Sequence, residues 1–522
     1  MRFSLLDIVV FLFYCAIVAG VGIFVSRRVN KKKDSANYFF ASNSLPWYLV
    51  GSSIIAANIS AEQFIGMSGS GFAMGMAIAT YEWLAAIMLI MVAVWFLPVF
   101  ISLKIHTMPQ FLEVRYNKLI KTVLAVFWLF LFVFVNLTSI LYLGALSLKT
   151  IFGINLEYAI AGLALFALLL TVGGGLKTIA NTDVIQVVFL VLGGLTTTWL
   201  ALNAVSDGGG AVRGFTLLMK GAPEKFHMIL PASDPNYKYM PGIRSILGGI
   251  WIAGIYYFGA NQYIIQKALG SKNLREARRG MVFASYLKLI IPVLVVIPGI
   301  AAFYLKAQIA KPDEAYPWLL NQFVPSGIKG FVFAALIAAI VSSLAAIINS
   351  ASTIFSIDLY KVFFRPEASE SKLVNTGRIS SIIMVVFASL LASMLSGIQQ
   401  VFQFIQEYTG LVSPGITAMF VLGIFWKRTT ARAAWIAVLI TLPVPLFLKW
   451  IYPALPFLDN MVVSFAIISA QMVITTLLDK KGRKEVTAPV LPKGIFRTDD
   501  PVFAWASIGI VVILSILYLI FW

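Results

Sequence analysis

The chain has 522 residues, 60% of them hydrophobic and only 12% charged, with a formal net charge of +18 and a mean hydropathy of +0.90. A water-soluble domain carries about 25% charged residues, so composition excludes a soluble enzyme. A single cysteine (Cys15) and two histidines (His106, His227) exclude an internal disulfide framework and leave almost nothing for a Cys/His zinc site or for acid–base and nucleophilic catalysis.

A spanning helix needs about 20 predominantly apolar residues. Taken along the chain, runs of that kind fall at 4–25, 45–70, 76–102, 122–148, 155–175, 183–206, 245–266, 281–305, 330–357, 379–397, 399–425, 433–453, 460–478 and 501–522, fourteen in all. The first is too long for a signal peptide and lacks a small-residue cleavage site, so it reads as a retained helix. No segment between the runs has the length of a separate soluble domain. Fourteen spans place both termini on one side, and the connections on the other side carry 28 of the 40 Lys and Arg. Positive charge marks the cytoplasmic face, so both termini are expected outside. The basic excess is then topology and lipid-headgroup contact, not a nucleic-acid footprint.

Two runs look built to break. The second carries Asn58, Ser60, Glu62 and Gln63 within six residues, followed by Gly66, Gly69 and Gly71. The seventh is glycine-rich near its middle (Gly248, Gly249, Gly254, Gly259) and polar beyond, at Asn261 and Gln262. They stand five spans apart, as first helices of two five-helix halves, which is the pattern of a transporter with inverted repeats and a midplane site; small residues for close helix packing are the plainer reading.

Ionisable residues inside the runs are few: Glu62, Glu82, Asp183, Lys288 and Glu407. Such groups usually pair or line a wet path. Glu82, flanked by Tyr81 and Trp83, suits a ligand hydroxyl; Lys288 has no adjacent acid and needs a partner from another helix or from the ligand. Glu62 and Glu407 read equally as structural polar contacts, and Asp183 as a solvated cap near a cytoplasmic helix end. In the ninth run, Ser342 and Ser343 either back-bond to the preceding turn or, opposite an unwound segment, offer hard oxygen ligands to a small monovalent cation.

The segment Ala56 to Gly71 closely resembles the sodium:solute symporter family, and so do Val135 to Thr138, Thr182 to Val187, Asn261 to Gln266, Ala339 to Leu344 and Phe404 to Gly415. The likeness runs over nearly the whole chain and points to the sodium/sugar branch. It implies an all-α membrane protein of the leucine-transporter type forming a single transporter domain: a leading helix at 4–25, inverted repeats at 45–206 and 243–425, and three trailing helices at 433–522. It implies a sodium site from the carbonyls of Ala56, Ile59 and Ala339 and the hydroxyls of Ser342 and Ser343, with Asp183 met by sodium on exit. Ala345 and Ala346 stand where relatives with a second sodium site carry hydroxyls, so one sodium per cycle is expected.

The resemblance also implies sugar contacts from Asn58, Gln63, Glu82, Lys288 and Gln406, an inner gate at Tyr257 stacked against the sugar, and an outer lid from Met67, Tyr81 and Phe402. Three positions depart from a galactose-carrying member, Gly254 for Asn, Ala85 for Ser and Phe258 for Trp. Loss of a buried polar partner rejects a matching ligand group strongly, and Gly254 is expected to enlarge the pocket. The implied activity is sodium-driven symport of a sugar across a bacterial plasma (inner) membrane, with no enzymatic turnover. The alternative is a non-sugar solute such as sialic acid or another organic anion.

Overall fold

In hydrocarbon every backbone polar group has to be satisfied internally, and helices do this within one segment. The computed structural model describes residues 4–29, 35–486, 489, 491–492 and 494–522, and these form helices with no strand among the described residues. Lys31, Lys32, Lys33 and Lys493, counted above toward the basic face, lie outside the described residues.

The first half comprises α1 (Leu5–Val29), α2 (Trp47–Asn58), α3 (Ser68–Met74), α4 (Thr80–Met91), α5 (Lys118–Leu131), α6 (Thr138–Phe152) and α7 (Leu156–Val205). Then follow α8 (Gly249–Ile255), α9 (Gln262–Leu269), α10 (Leu274–Tyr304), α11 (Lys329–Thr353), α12 (Glu370–Ala392), α13 (Val401–Gly410) and α14 (Ser413–Phe425). The last are α15 (Ala431–Ile440), α16 (Pro443–Ile451), α17 (Phe457–Leu478) and α18 (Pro501–Ile520). Among the described residues ten helical stretches are long and apolar enough to cross a membrane, or up to twelve if the bent pairs α13/α14 (48°) and α15/α16 (41°) each count as one span. Prolines at the start of the second member, Pro414 and Pro443, supply those bends, since proline cannot continue a preceding hydrogen-bond ladder.

Burial sorts the helices into layers. The most apolar stretch of the helix containing α11 is 94% buried, whereas those of α1 and α18 are 17% buried. Leu5, Phe13 and Phe24 on α1 and Trp505 and Leu519 on α18 are exposed, as lipid-facing side chains should be. At the base of α18, Asp500 accepts from Val502 N (3.3 Å) and takes Arg279 in two bonds of 2.6 and 2.8 Å. The Arg279 guanidinium holds its carboxyl down at about 2, so this tether stays ionised to strongly acidic pH.

Both expected breaks are present. At the first, Ile59 leaves the helix with φ −82° and ψ 99°. The Gln63 Oε1 stitches the gap by accepting from Ser60 N (3.0 Å) and Ser60 Oγ (3.1 Å), and Ser60 Oγ accepts from Glu62 N (3.0 Å). The second break falls at Asn261 (φ −86°, ψ 123°), the polar end of the run. Gly249 and Gly259 before it serve packing: a Cβ at Gly249 would sit 2.4 Å from Leu458 O, and one at Gly259 3.2 Å from Phe96. Gly248 interrupts the run earlier, with φ −128° and ψ −102° between the short helix Ile243–Leu247 and α8, so a glycine makes one interruption of this run and the amide the other.

The fifth and sixth runs, taken together as α7, are two helical segments divided at Gly175, whose φ of 60° and ψ of −160° lie outside the helical region. A Cβ there would approach Tyr38 O to 2.1 Å. Positive φ costs a non-glycine residue about 1–2 kcal/mol before any clash. Gly175→Ala is therefore expected to lower the thermal midpoint of the detergent-solubilised protein by several degrees, with Gly162→Ala, where a Cβ meets nothing within 4 Å, as the neutral control; equal midpoints would refute this account of the kink.

Candidate solute and cation site

The first break faces α11, and the contact is made of oxygen. Ser342 Oγ lies 2.7 Å from Ala56 O and 3.2 Å from Ala339 O; Ser343 Oγ lies 3.0 Å from Ala56 O and 3.5 Å from Ile59 O. All five residues are at most 1% exposed. The cluster contains two carbonyls at the helix break (Ala56, Ile59), one from within α11 (Ala339) and two hydroxyls whose protons rotate, so the hydroxyls can present lone pairs to a cation as readily as protons to the carbonyls. Hard oxygen donors of this kind suit a hard cation, and without a carboxylate in the cluster the charge favours a monovalent one. Ser342 back-bonds to Ala339, as one reading of the serines expects, and both hydroxyls also face the break at Ala56.

Two residues beyond Ala56, Asn58 enters a second arrangement. Lys288 Nζ donates to Asn58 Oδ1 and to Glu82 Oε2, the latter at 2.5 Å, with the Lys288 and Glu82 side chains 1% and 4% exposed. Asn58 Nδ2 donates to the Tyr257 hydroxyl (3.0 Å), which also accepts from Tyr263 (2.6 Å). Lys288 further lies 5.5 Å over the Phe258 ring. The partner that Lys288 lacked in sequence is thus Glu82 of α4, and the pair is neutral as a unit. Removing one member of such a buried pair costs about 3–5 kcal/mol.

These side chains surround a cavity of about 70 Å³ lined also by Gln63, Glu62, Tyr81, Ala85, Met88, Gly254, Phe402, Gln406, Thr409 and Gly410. It holds only a few waters' volume, so a larger solute would fit only if these side chains parted. Over it, Tyr81 and Phe402 meet edge to face at 5.8 Å, and Gly66 lets Phe402 settle, since a Cβ there would lie 2.8 Å from Phe402 Cβ. Met67 is fully buried and does not line the cavity. Glu62 accepts from Ser139 (3.3 Å), and Glu407 pairs with Lys449 (2.5 Å) outside the cavity.

The expected solvated cap at Asp183 is corrected. Asp183 is 0% exposed, accepts from Ser53 Oγ, and has Lys267 Nζ at 3.6 Å. The expected enlargement at Gly254 is corrected as well. A Cβ at Gly254 would lie 1.8 Å from Met88 Sδ, so the thioether fills the room that glycine leaves. Met88 escaped the sequence reading although Tyr81, Glu82, Ala85 and Met88 recur at the spacing of one helix face; the same holds for Thr409 and Gly410 behind Gln406.

A family model described as the sodium:solute symporter family matches residues 38–441. The chain is 49% identical over 537 aligned residues to the sodium/glucose cotransporter of Vibrio parahaemolyticus, covering 99% of this chain and 98% of that one. It is 32% identical to human sodium/myo-inositol cotransporter 2, covering 82% of this chain and 67% of the relative. A Na⁺-coupled sialic acid symporter solved in a substrate-bound outward-open state shares the fold at 24% identity, with a TM-score of 0.80 over 91% of this chain and 98% of that one.

The Met88–Gly254 contact makes a prediction about pocket shape. Gly254→Asn alone should cut solute uptake at least tenfold, because the new side chain meets Met88 Sδ. Met88→Ala together with Gly254→Asn should recover much of it with altered solute preference. The check is competition of labelled solute uptake by a panel of sugars and polyols; a single variant with wild-type uptake and preference would refute the contact's role.

Proposed function

Because the chain belongs to the sodium:solute symporter family, we propose that it carries a sugar, a glucose- or galactose-like hexose or a related polyol, into the cell with one sodium ion by alternating access. The observation that carries this reading is that one broken segment contributes both to the buried oxygen cluster and to the cavity. Ala56 and Ile59 supply carbonyls to the cation cluster, while Asn58 and Gln63, interleaved with them, line the cavity. Sodium held by Ala56, Ile59, Ala339, Ser342 and Ser343 orders the break and so presents Asn58 and Gln63 to the sugar. Linkage then requires sugar to tighten sodium equally.

Within the cavity Glu82 accepts sugar hydroxyl protons, Lys288 and Gln406 donate, and the Tyr257 ring stacks beneath the sugar as inner gate. Tyr81 and Phe402 cover it from outside. Met67 enters this lid only as packing, since it does not line the cavity. Gly254, filled by Met88, and Ala85 make part of the wall apolar, which favours a solute presenting fewer hydroxyls to that side than galactose does to a polar wall. The relatives named as sodium/glucose and sodium/myo-inositol cotransporters support a polyhydroxylated ring. An organic anion gains nothing from Lys288, whose charge Glu82 already balances.

Alanines at 345 and 346 leave no hydroxyls for a second cation, in keeping with one sodium per cycle. One charge crossing 100 mV releases about 2.3 kcal/mol, and a tenfold sodium gradient adds about 1.4 kcal/mol. Together these drive accumulation of several hundredfold. Transport without covalent turnover agrees with relatives that are all named as transporters.

For the architecture, we read a leucine-transporter-type core with inverted repeats at 45–206 and 243–425, entered by the breaks at Ile59 and Asn261. Counting the broken α2/α3 and the short apolar stretch Leu156–Val172 beside the stretches already named brings the spans to fourteen. The distribution of Lys and Arg supports both termini outside a bacterial inner membrane.

Uptake of labelled glucose into proteoliposomes should rise strongly with an inward sodium gradient; equal uptake without one would reject coupling. Ser343→Ala should raise the sodium concentration for half-maximal uptake about tenfold, and wild-type sodium dependence would remove Ser343 from the site.

A further inference from the structure

One buried cation takes no part in the site described above. Lys267, on α9, is 1% exposed and makes no hydrogen bond among the described residues; its Nζ lies 3.6 Å from Asp183 Oδ2. Asp183 in turn accepts from Ser53 Oγ, and its Oδ1 has no hydrogen-bond partner among the described residues. Ser53 stands three residues before Ala56 on α2, about 4.5 Å along the axis at a rise of 1.5 Å per residue. Asp183 is therefore the carboxylate one helical turn below the five-oxygen cluster, on the side where α2 begins.

A lone carboxylate buried at that point would be a cation trap. Unlike the neutral cluster, it would attract sodium through a low-dielectric interior, where charges interact several-fold more strongly than in water. It would also be left unpaired each time the ion left, which is costly for a buried charge.

We propose that Lys267 is a built-in competitor for sodium at Asp183: its ammonium holds the carboxylate after the ion leaves the cluster, so that sodium discharges inward instead of lodging one turn below its site. The long, flexible lysine stem suits this role, because its ammonium lies 3.6 Å from the carboxylate and makes no hydrogen bond among the described residues, while Ser53 holds the carboxylate in place. Lys267 is a positioning residue here, acting through Asp183. The inference rests on the sodium-coupled reading given above.

The test reads trans-inhibition, the internal sodium concentration that halves sodium-driven sugar uptake into right-side-out proteoliposomes. Each protein is compared with its own uptake at zero internal sodium, so differences in amount cancel. Lys267→Met should lower the half-inhibiting concentration about tenfold, because the freed carboxylate retains sodium. Asp183→Asn should raise it, because the ammonium then stands unopposed in the exit path. The double variant should return close to wild type. A purely structural pair would shift both single variants in the same direction or neither, and either result overturns the proposal. If Lys267→Met does not insert, Asp183→Asn decides alone, since an unchanged or lowered concentration refutes it. A wild-type protein without sodium-driven uptake would instead overturn the symport reading, whereas same-direction shifts on a sodium-driven wild type overturn only the role of Lys267.

Discussion

The structure depends on one constraint: a chain in hydrocarbon cannot leave backbone polar groups unsatisfied. At residues 59–61 the helix is nevertheless broken. Two sets of contacts make that tolerable. Gln63 and Ser60 close the gap from within, and the hydroxyls of Ser342 and Ser343 meet the carbonyls of Ala56 and Ile59 from α11. Several groups that satisfy the break belong to the buried oxygen cluster, and Gln63 lines the cavity. The stability of the break and the shape of the candidate site therefore draw on the same few oxygens. That explains why the most buried helix of the bundle is the one that faces the break.

Much of the architecture could be read from the order of residues. The apolar runs appear as helices, and polar residues crowded into the second run mark its break because no lipid-facing helix accommodates Asn, Ser, Glu and Gln together. The glycines of the seventh run were a weaker guide. Glycine signals close approach without saying of what, and here Gly249 and Gly259 admit neighbouring helices while Asn261 interrupts the chain. The bends at Pro414 and Pro443 and the sharp turn at Gly175 between the two segments of α7 depend on local backbone geometry, to which a hydropathy pattern is blind.

The site was readable where chemistry is local and hidden where it is tertiary. The pairing of Ser342 with Ser343 marked one side of the oxygen cluster at the break, and Glu82 with its neighbour Tyr81 marked a wall of the cavity. The partner of Lys288 lies 206 residues away in sequence, and that of Lys267 lies 84 residues away. No spacing rule reports such pairs. Met88 shows a different limit. Its helix-face register was visible, but whether a side chain fills or opens a pocket depends on the residue opposite, and Gly254 gains its meaning only from the sulphur packed on it.

The distance between Ala56 and Ser342, 286 residues along the chain, has a consequence for how the molecule is made. Membrane proteins are threaded into the bilayer as they emerge from the ribosome. The broken helix is therefore inserted long before the hydroxyls that complete it have been translated. During that interval its loose carbonyls must rely on water, on Ser60 and Gln63, or on the insertion machinery. The broken segment is thus a weak point of the half-made protein, and quality control at the membrane should fall on it first.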